Sequence, residues 1–233
     1  RFVVKIVADD AAEAKALADG TADLARLPPR TAAPFEGKDG YRYYAMKSAH
    51  YGSIMINCTH PYWKRNRDLL PAIAYAVDRA AVVNEALLGH GMPAYGPLQR
   101  SSYNNPNIEH YDYDPAKAQA ILEAAGCRKG SDGYYMRGGE EVGFTLTVKN
   151  DKRHRIDIAN TVAAQLCAVG IHCTVETPAK VDWDGQMAYL SGVGNEIDPD
   201  AHTYKVYSTD ARGNDSHYSN PRVDEYLLAA RRT

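Results

Sequence analysis

The tightest grouping of chemically capable side chains is Asp198-Pro199-Asp200-Ala201-His202. Two carboxylates and an imidazole so close together could hold a metal ion and leave a coordination position open for water, as a metal-dependent hydrolase requires. The same letters also spell a Pro-containing turn followed by a helix capped by Asp200. A wider search gives catalysis little support. No H-E-x-x-H, G-x-S-x-G, P-loop or G-x-G-x-x-G pattern occurs. His50, His60, His90 and His110 are scattered over loop-like stretches, where an imidazole more often serves as a surface or hydrogen-bonding group than as a ligand. The reading is a non-enzyme with no resident metal and no cofactor.

Cys58, Cys127, Cys167 and Cys173 lack the C-x-x-C spacing of a structural zinc site. An even number permits two disulfides, with three possible pairings, in an oxidising compartment; four buried thiols satisfy the sequence equally. Tyrosine is unusually frequent, at 17, and Tyr41, Tyr43, Tyr44, Tyr95, Tyr103, Tyr111 and Tyr113 fall in loops. Tyrosine brings a large contact area at low entropic cost and keeps a polar tip, which suits a binding surface as well as loop packing. The 27 Lys and Arg against 29 Asp and Glu remove the basic excess that a general nucleic-acid binder carries. No apolar run approaches the roughly 20 residues needed to cross a bilayer as a helix.

The elements that must position these groups alternate between strand and helix, which argues an α/β fold. Phe2–Val7 reads as a strand. Asp9 or Asp10 then caps an Ala-rich helix ended by Gly20, and Ala22–Ala25 returns as extended chain. Pro28, Pro29, Pro34, Gly37 and Gly40 mark a boundary. A buried strand is expected at Tyr51–Cys58, then the longest helix, from a cap at Asp68 to Leu88 before Gly89. Residues 91–111 form a Pro-rich loop, and Asp114-Pro115 starts a helix that ends at Gly126. Tyr134–Met136 and Val142–Val148 pair as a hairpin around Arg137–Glu140. A third helix spans His154–Val169 with Gly170 at its end, and Ile171, Cys173 and Val175 alternate as a half-buried strand.

The run Leu70-Pro71-Ala72-Ile73-Ala74-Tyr75-Ala76-Val77-Asp78-Arg79, followed by Leu88-Gly89-His90-Gly91-Met92-Pro93-Ala94-Tyr95-Gly96-Pro97, resembles the signature stretch of the family 5 extracellular solute-binding proteins. Four further segments agree in order. These are Gly20-Thr21-Ala22-Asp23-Leu24, the helix entered at Tyr111–Ala118, the unit from Lys149-Asn150 to Gly170-Ile171, and Tyr218-Ser219-Asn220-Pro221-Arg222-Val223-Asp224.

The resemblance implies one lobe of a type II periplasmic-binding-protein-like clamshell, a mixed sheet flanked by helices. Residues 1–45 would form a crossing β-α-β segment bordering the first lobe, and residues 46–233 the second lobe, truncated before the chain returns to the first. It implies the substrate-binding component of an ABC importer, working outside the cytoplasm, in the periplasm or lipid-anchored at the outer face of the membrane. Such a receptor closes two lobes on a peptide and hands it to permease subunits. A receptor for nickel or another small solute is the alternative.

Peptide-binding relatives carry a Gly-Trp-x-x-Asp segment whose carboxylate meets the ligand's free amine. Here it reads Gly192-Val193-Gly194-Asn195-Glu196-Ile197-Asp198, so Glu196 takes that place, with Asp198 as the nearby alternative and Val193 where the family has Trp. Lys149 aligns with a cation that meets a ligand carboxylate in some relatives, supplying charge without the fork of Arg. Trp183 resembles a cleft-lining Trp. The resemblance thus points to Trp183, Lys149, Val193, Gly194, Asn195, Glu196 and Asp198 as ligand contacts.

Overall fold

The computed structural model describes residues 1–46, 50–193 and 198–232. The first helix, α1 (Asp10–Ala18), begins where the Asp9 carboxylate accepts a hydrogen bond from the Ala12 amide at 2.8 Å. The strand expected at Phe2–Val7 is absent, as is the one at Ala22–Ala25. β-branched residues favour extended backbone, but a strand needs a neighbouring edge to complete its hydrogen bonds. No described residue offers one here, and Phe2, Val4 and Ile6 stand fully exposed. A short helix α2 (Pro29–Ala32) follows and tightens into a 3-10 turn at Ala33–Phe35.

β1 (Tyr51–Ile56) matches its expected position. The next helix, α3 (Pro61–Arg65), carries Trp63, which is buried against Phe144 and donates its indole N–H to the Met187 carbonyl at 2.7 Å. The single long helix expected from Asp68 to Leu88 is instead α4 (Leu70–Ala76) and α5 (Arg79–Ala86). Val77 adopts extended backbone, and Asp78 starts α5 by accepting from the Ala81 amide at 2.9 Å. Gln165, from a later helix at Arg153–Val169, fastens this break. Its Oε1 accepts from the Asp78 amide at 3.0 Å, and its Nε2 donates to the Asp78 carbonyl at 3.3 Å.

α6 (Pro115–Ala124) starts at its Asp114 cap as the sequence indicates. A small three-stranded sheet follows from β2 (Arg128–Lys129), β3 (Tyr135–Arg137) and β4 (Glu140–Glu141). The hairpin therefore closes on β4 rather than on the following strand, β5 (Gly143–Thr147). The buried residues Phe144, Leu146 and Val148 need the main core, so the chain turns there at Val142.

The longest helix is α7 (Arg153–Val169), ended by Gly170 at φ 101°, a left-handed value that favours glycine. β6 (His172–Glu176) and β7 (Ala188–Val193) complete a four-stranded mixed sheet in the order β1-β7-β5-β6. The sequence did not reveal β7. Ala188, Tyr189 and Leu190 are all buried, so the strand lacks the alternation by which a half-exposed one is read. α4, α6 and α7 cover the sheet, and Leu122, Leu146, Leu166 and Leu190 lie in the shared core. A 3-10 turn (Pro199–His202), α8 (Tyr204–Tyr207) and α9 (Pro221–Ala230) finish the chain. No helix among the described residues is long and apolar enough to cross a membrane.

Candidate ligand-binding site

The register of the main sheet decides which distant residues meet. β5 and β7 run parallel, with Leu146 beside Ala188 and Thr147 beside Tyr189, so both strands exit at one end. β1 runs the opposite way, with Tyr51 opposite Val193, so it begins at that end. α7 starts there too, a few residues after β5 exits. His50, Lys149, Asp151, Arg155 and Val193 thus share one rim of the sheet. In α/β folds the carboxyl ends of parallel strands are the usual place for a ligand.

Gly192 is the hub of this rim. A β-carbon built on it would stand 2.5 Å from Nε2 of His50 and 2.8 Å from Nη2 of Arg155. Both side chains occupy space that any larger residue would fill. Among the described residues no carboxylate forms an ion pair with Arg155, whereas Lys149 pairs with Asp151 at 2.9 Å and Arg153 with Asp157 at 2.9 Å. Tyr189 lies just behind, with its ring edge-on to Trp183 at 4.7 Å. Burial pushes the Tyr189 hydroxyl up; Arg155 and Lys149 oppose the rise, and Asp151 and Asp215 add to it. His154, beside Arg155, is half-buried and has no partner for Nδ1 among the described residues. Burial first, then the Arg155 charge, hold its pKa below the usual histidine value.

The residues singled out from the sequence fare unequally. Lys149 stands at the rim, with its charge already engaged by Asp151. Trp183 sits on a surface turn, 39% exposed, in a shallow recess of about 390 Å³ lined by Lys180, Val181, Asp182 and Asp184. Val193 ends β7. Asp198 is exposed, and it, rather than Asp200, is the cap of the 3-10 turn, accepting from the Asp200 amide at 2.9 Å. It wins because the turn begins at Pro199, one residue ahead of Asp200. Asp200 instead pairs with Arg231, just past the end of α9, at 3.4 Å. Among the described residues no three His, Cys, Asp or Glu groups gather to hold a metal. Gly194, Asn195 and Glu196 lie outside the described residues.

Arg155 and Tyr189 escaped the sequence reading, which took His50 only as a surface or hydrogen-bonding group. One signal was available for Arg155. The first turn of α7 carries Arg153, His154 and Arg155 with no acid, whereas the positive end of a helix dipole favours acids. Cations placed against that preference invite a reason, such as an anion to meet.

Comparison with known proteins agrees in sequence and in fold. A model of the bacterial extracellular solute-binding proteins, family 5, matches residues 1–214. Protein XP55 of Streptomyces lividans is 36% identical over 240 residues, covering 100% of this chain and 44% of that protein. The glutathione-binding protein GsiB of Pectobacterium atrosepticum is 27% identical over 246 residues, covering 97% of this chain and 45% of its own length. The fold superposes on NikZ of Campylobacter jejuni, solved in complex with Ni(L-His), with a TM-score of 0.88 and 28% identity over 97% of this chain and 47% of that one. The oligopeptide-binding protein AppA of Bacillus subtilis, solved with a nonapeptide, gives a TM-score of 0.81 at 24% identity over 95% of this chain and 46% of that one. The chain thus spans about half the length of the relatives it matches. This chain belongs to the bacterial extracellular solute-binding proteins, family 5.

Proposed function

We propose that the protein captures peptides outside the cytoplasm as the substrate-binding component of an ABC importer. One observation carries the reading within the family. The sheet register gathers Lys149, Arg155 and His50 around the end of β7, next to the segment that includes Glu196. A peptide offers a terminal carboxylate and a terminal ammonium. Cations on the rim suit the first, and the carboxylates of Glu196 or Asp198 suit the second, through charge-assisted hydrogen bonds. Val193, Gly194 and Asn195 would line the ligand between them, and Trp183 with Tyr189 would offer an apolar wall. Holding and release, rather than covalent chemistry, is the work such a set can do.

Residues 1–45 fit a segment that crosses to another part of the protein, with residues 46–233 forming the lobe described. Phe2, Val4 and Ile6 are apolar yet fully exposed, as expected of a strand whose pairing edge lies elsewhere. Closure of two lobes on the ligand, a hinge motion, would then complete the site. Hand-over to permease subunits would follow, with the receptor held in the periplasm or by a lipid at the outer face of the membrane.

The test is to pass a defined peptide mixture over the full-length protein and read what stays bound by native mass spectrometry. Retained peptides, displaced by competing peptide, support the reading. Recovery of a metal chelate and no peptide overturns it in favour of a nickel or small-solute receptor.

A further inference from the structure

Four thiols are present, and the sulfur of one packs on the backbone of another cysteine. Cys167 lies in the last turn of α7 and Cys173 in β6, joined by the left-handed turn at Gly170. The Sγ of Cys167 sits directly on the backbone of Cys173. It accepts from the Cys173 amide at 3.5 Å and lies 3.6 Å from the carbonyl of the same residue. Those two contacts bracket the Cα of Cys173, and both side chains belong to the packing between α7 and the sheet. Cys58 and Cys127 are placed differently. Cys58 follows β1 and contacts its own segment, at the Ile56 carbonyl, while Cys127 is buried behind α6.

We propose that Cys167 and Cys173 are a disulfide-forming pair that clips the end of α7 to β6. The partially exposed Cys167 is the entry thiol, since Cys173 is only 5% exposed. An external disulfide, either a low-molecular-weight thiol disulfide or a dithiol oxidoreductase, supplies the oxidant. The Cys167 thiolate attacks one oxidant sulfur, forming a mixed disulfide and expelling the first thiolate. The Cys173 thiolate then attacks Cys167 Sγ, the protein disulfide forms, and the second thiolate leaves. Two protein thiols are oxidised, one oxidant disulfide is reduced, and two protons pass to the departing thiolates or solvent. Extracellular compartments, where this family works, sustain such bonds.

The closing step is slow at neutral pH. Burial first, with the neighbouring Cys167, pushes the Cys173 thiol up to about 12, so its thiolate fraction rises about tenfold per pH unit below that value. Mature protein formed in an oxidising compartment has time to complete the reaction.

The purified protein is incubated with oxidised glutathione at pH 7 and pH 9, alkylated without reduction, denatured, alkylated again and digested with trypsin. Cleavage after Arg155 and Lys180 leaves Cys167 and Cys173 on one peptide and the other two cysteines elsewhere. The expected product is that peptide about 2 Da below its dithiol mass and free of alkyl groups, accumulating faster at pH 9. Reduction should restore two alkylation sites and lower Tm by a few °C. In Cys167→Ser the Tm difference between oxidised and reduced samples should vanish. Full alkylation of both residues after oxidation at pH 9, a stable glutathione adduct on Cys167 with Cys173 still alkylated, or linkage of either to Cys58 or Cys127 would each overturn the proposal.

Discussion

The guanidinium of Arg155 rests against Gly192, where even a methyl group would stand 2.8 Å from Nη2. A helix residue thereby reaches the edge of the central strand, and its charge is set beside the segment that follows β7. Gly192→Val should displace both Arg155 and His50 while leaving the core untouched. Affinity for the retained ligand is expected to fall at least tenfold, about 1.4 kcal/mol, in isothermal calorimetry. Arg155→Ala should lose a similar amount for an anionic ligand and much less for one whose carboxylate is amidated. Equal losses for both forms would remove Arg155 from carboxylate recognition.

The two tryptophans make an internal comparison. Trp63 is 2% exposed in the core, whereas Trp183 is 39% exposed and edge-on to Tyr189. Ligand binding should therefore shift tryptophan emission through Trp183 alone. Trp183→Phe is expected to abolish the shift while Tm changes by less than about 1 °C, as usual for an exposed surface substitution. A shift of unchanged size in that variant would place the ligand away from Trp183.

His154 links stability to pH. Its folded-state pKa lies below the ordinary value of 6.5, so the unfolded chain binds a proton more readily. The stability tied to the neutral ring is complete above about pH 6.5 and is lost as the pH falls towards the folded-state value. Urea denaturation at pH 7.5 and pH 5.5 should show a drop that His154→Gln reduces. An identical drop in the variant would assign the dependence to other groups.

Asp78 holds the break between α4 and α5. Asp78→Ala removes the cap on Ala81 but leaves both backbone bonds to Gln165. A cost of about 1 kcal/mol in denaturant melts is expected, the usual value for a lost N-cap. Gln165→Leu should cost more, because it strands the Asp78 amide in a half-buried setting. If Gln165→Leu proved the milder change, the link to α7 would not be what fastens the break.

Much of the fold was legible because its signals are local. Asp9, Asp114 and Gly170 announce helix ends through side-chain capping or left-handed backbone, each acting within a few residues. The alternation from Ile171 to Val175 announces β6 in the same way. The motifs around Leu70–Pro97 and Tyr218–Asp224 carried the family with them, and the family carried Lys149 and Trp183 as candidates. What failed did so where the deciding contact is distant. Val77 and Asp78 continue a helical pattern until Gln165, 87 residues on, binds the break. Phe2–Val7 has strand composition but no pairing edge among the described residues.

The sequence by itself therefore determined the α/β class, the bounds of α1, α6 and α7, and the family, because propensity, capping and motif order act within short stretches of chain. Only the tertiary structure decided which charges face one another. Arg155, His50 and Gly192 are brought together by the antiparallel pairing of β1 with β7 and the placement of α7, and strand register is a long-range choice that composition leaves open.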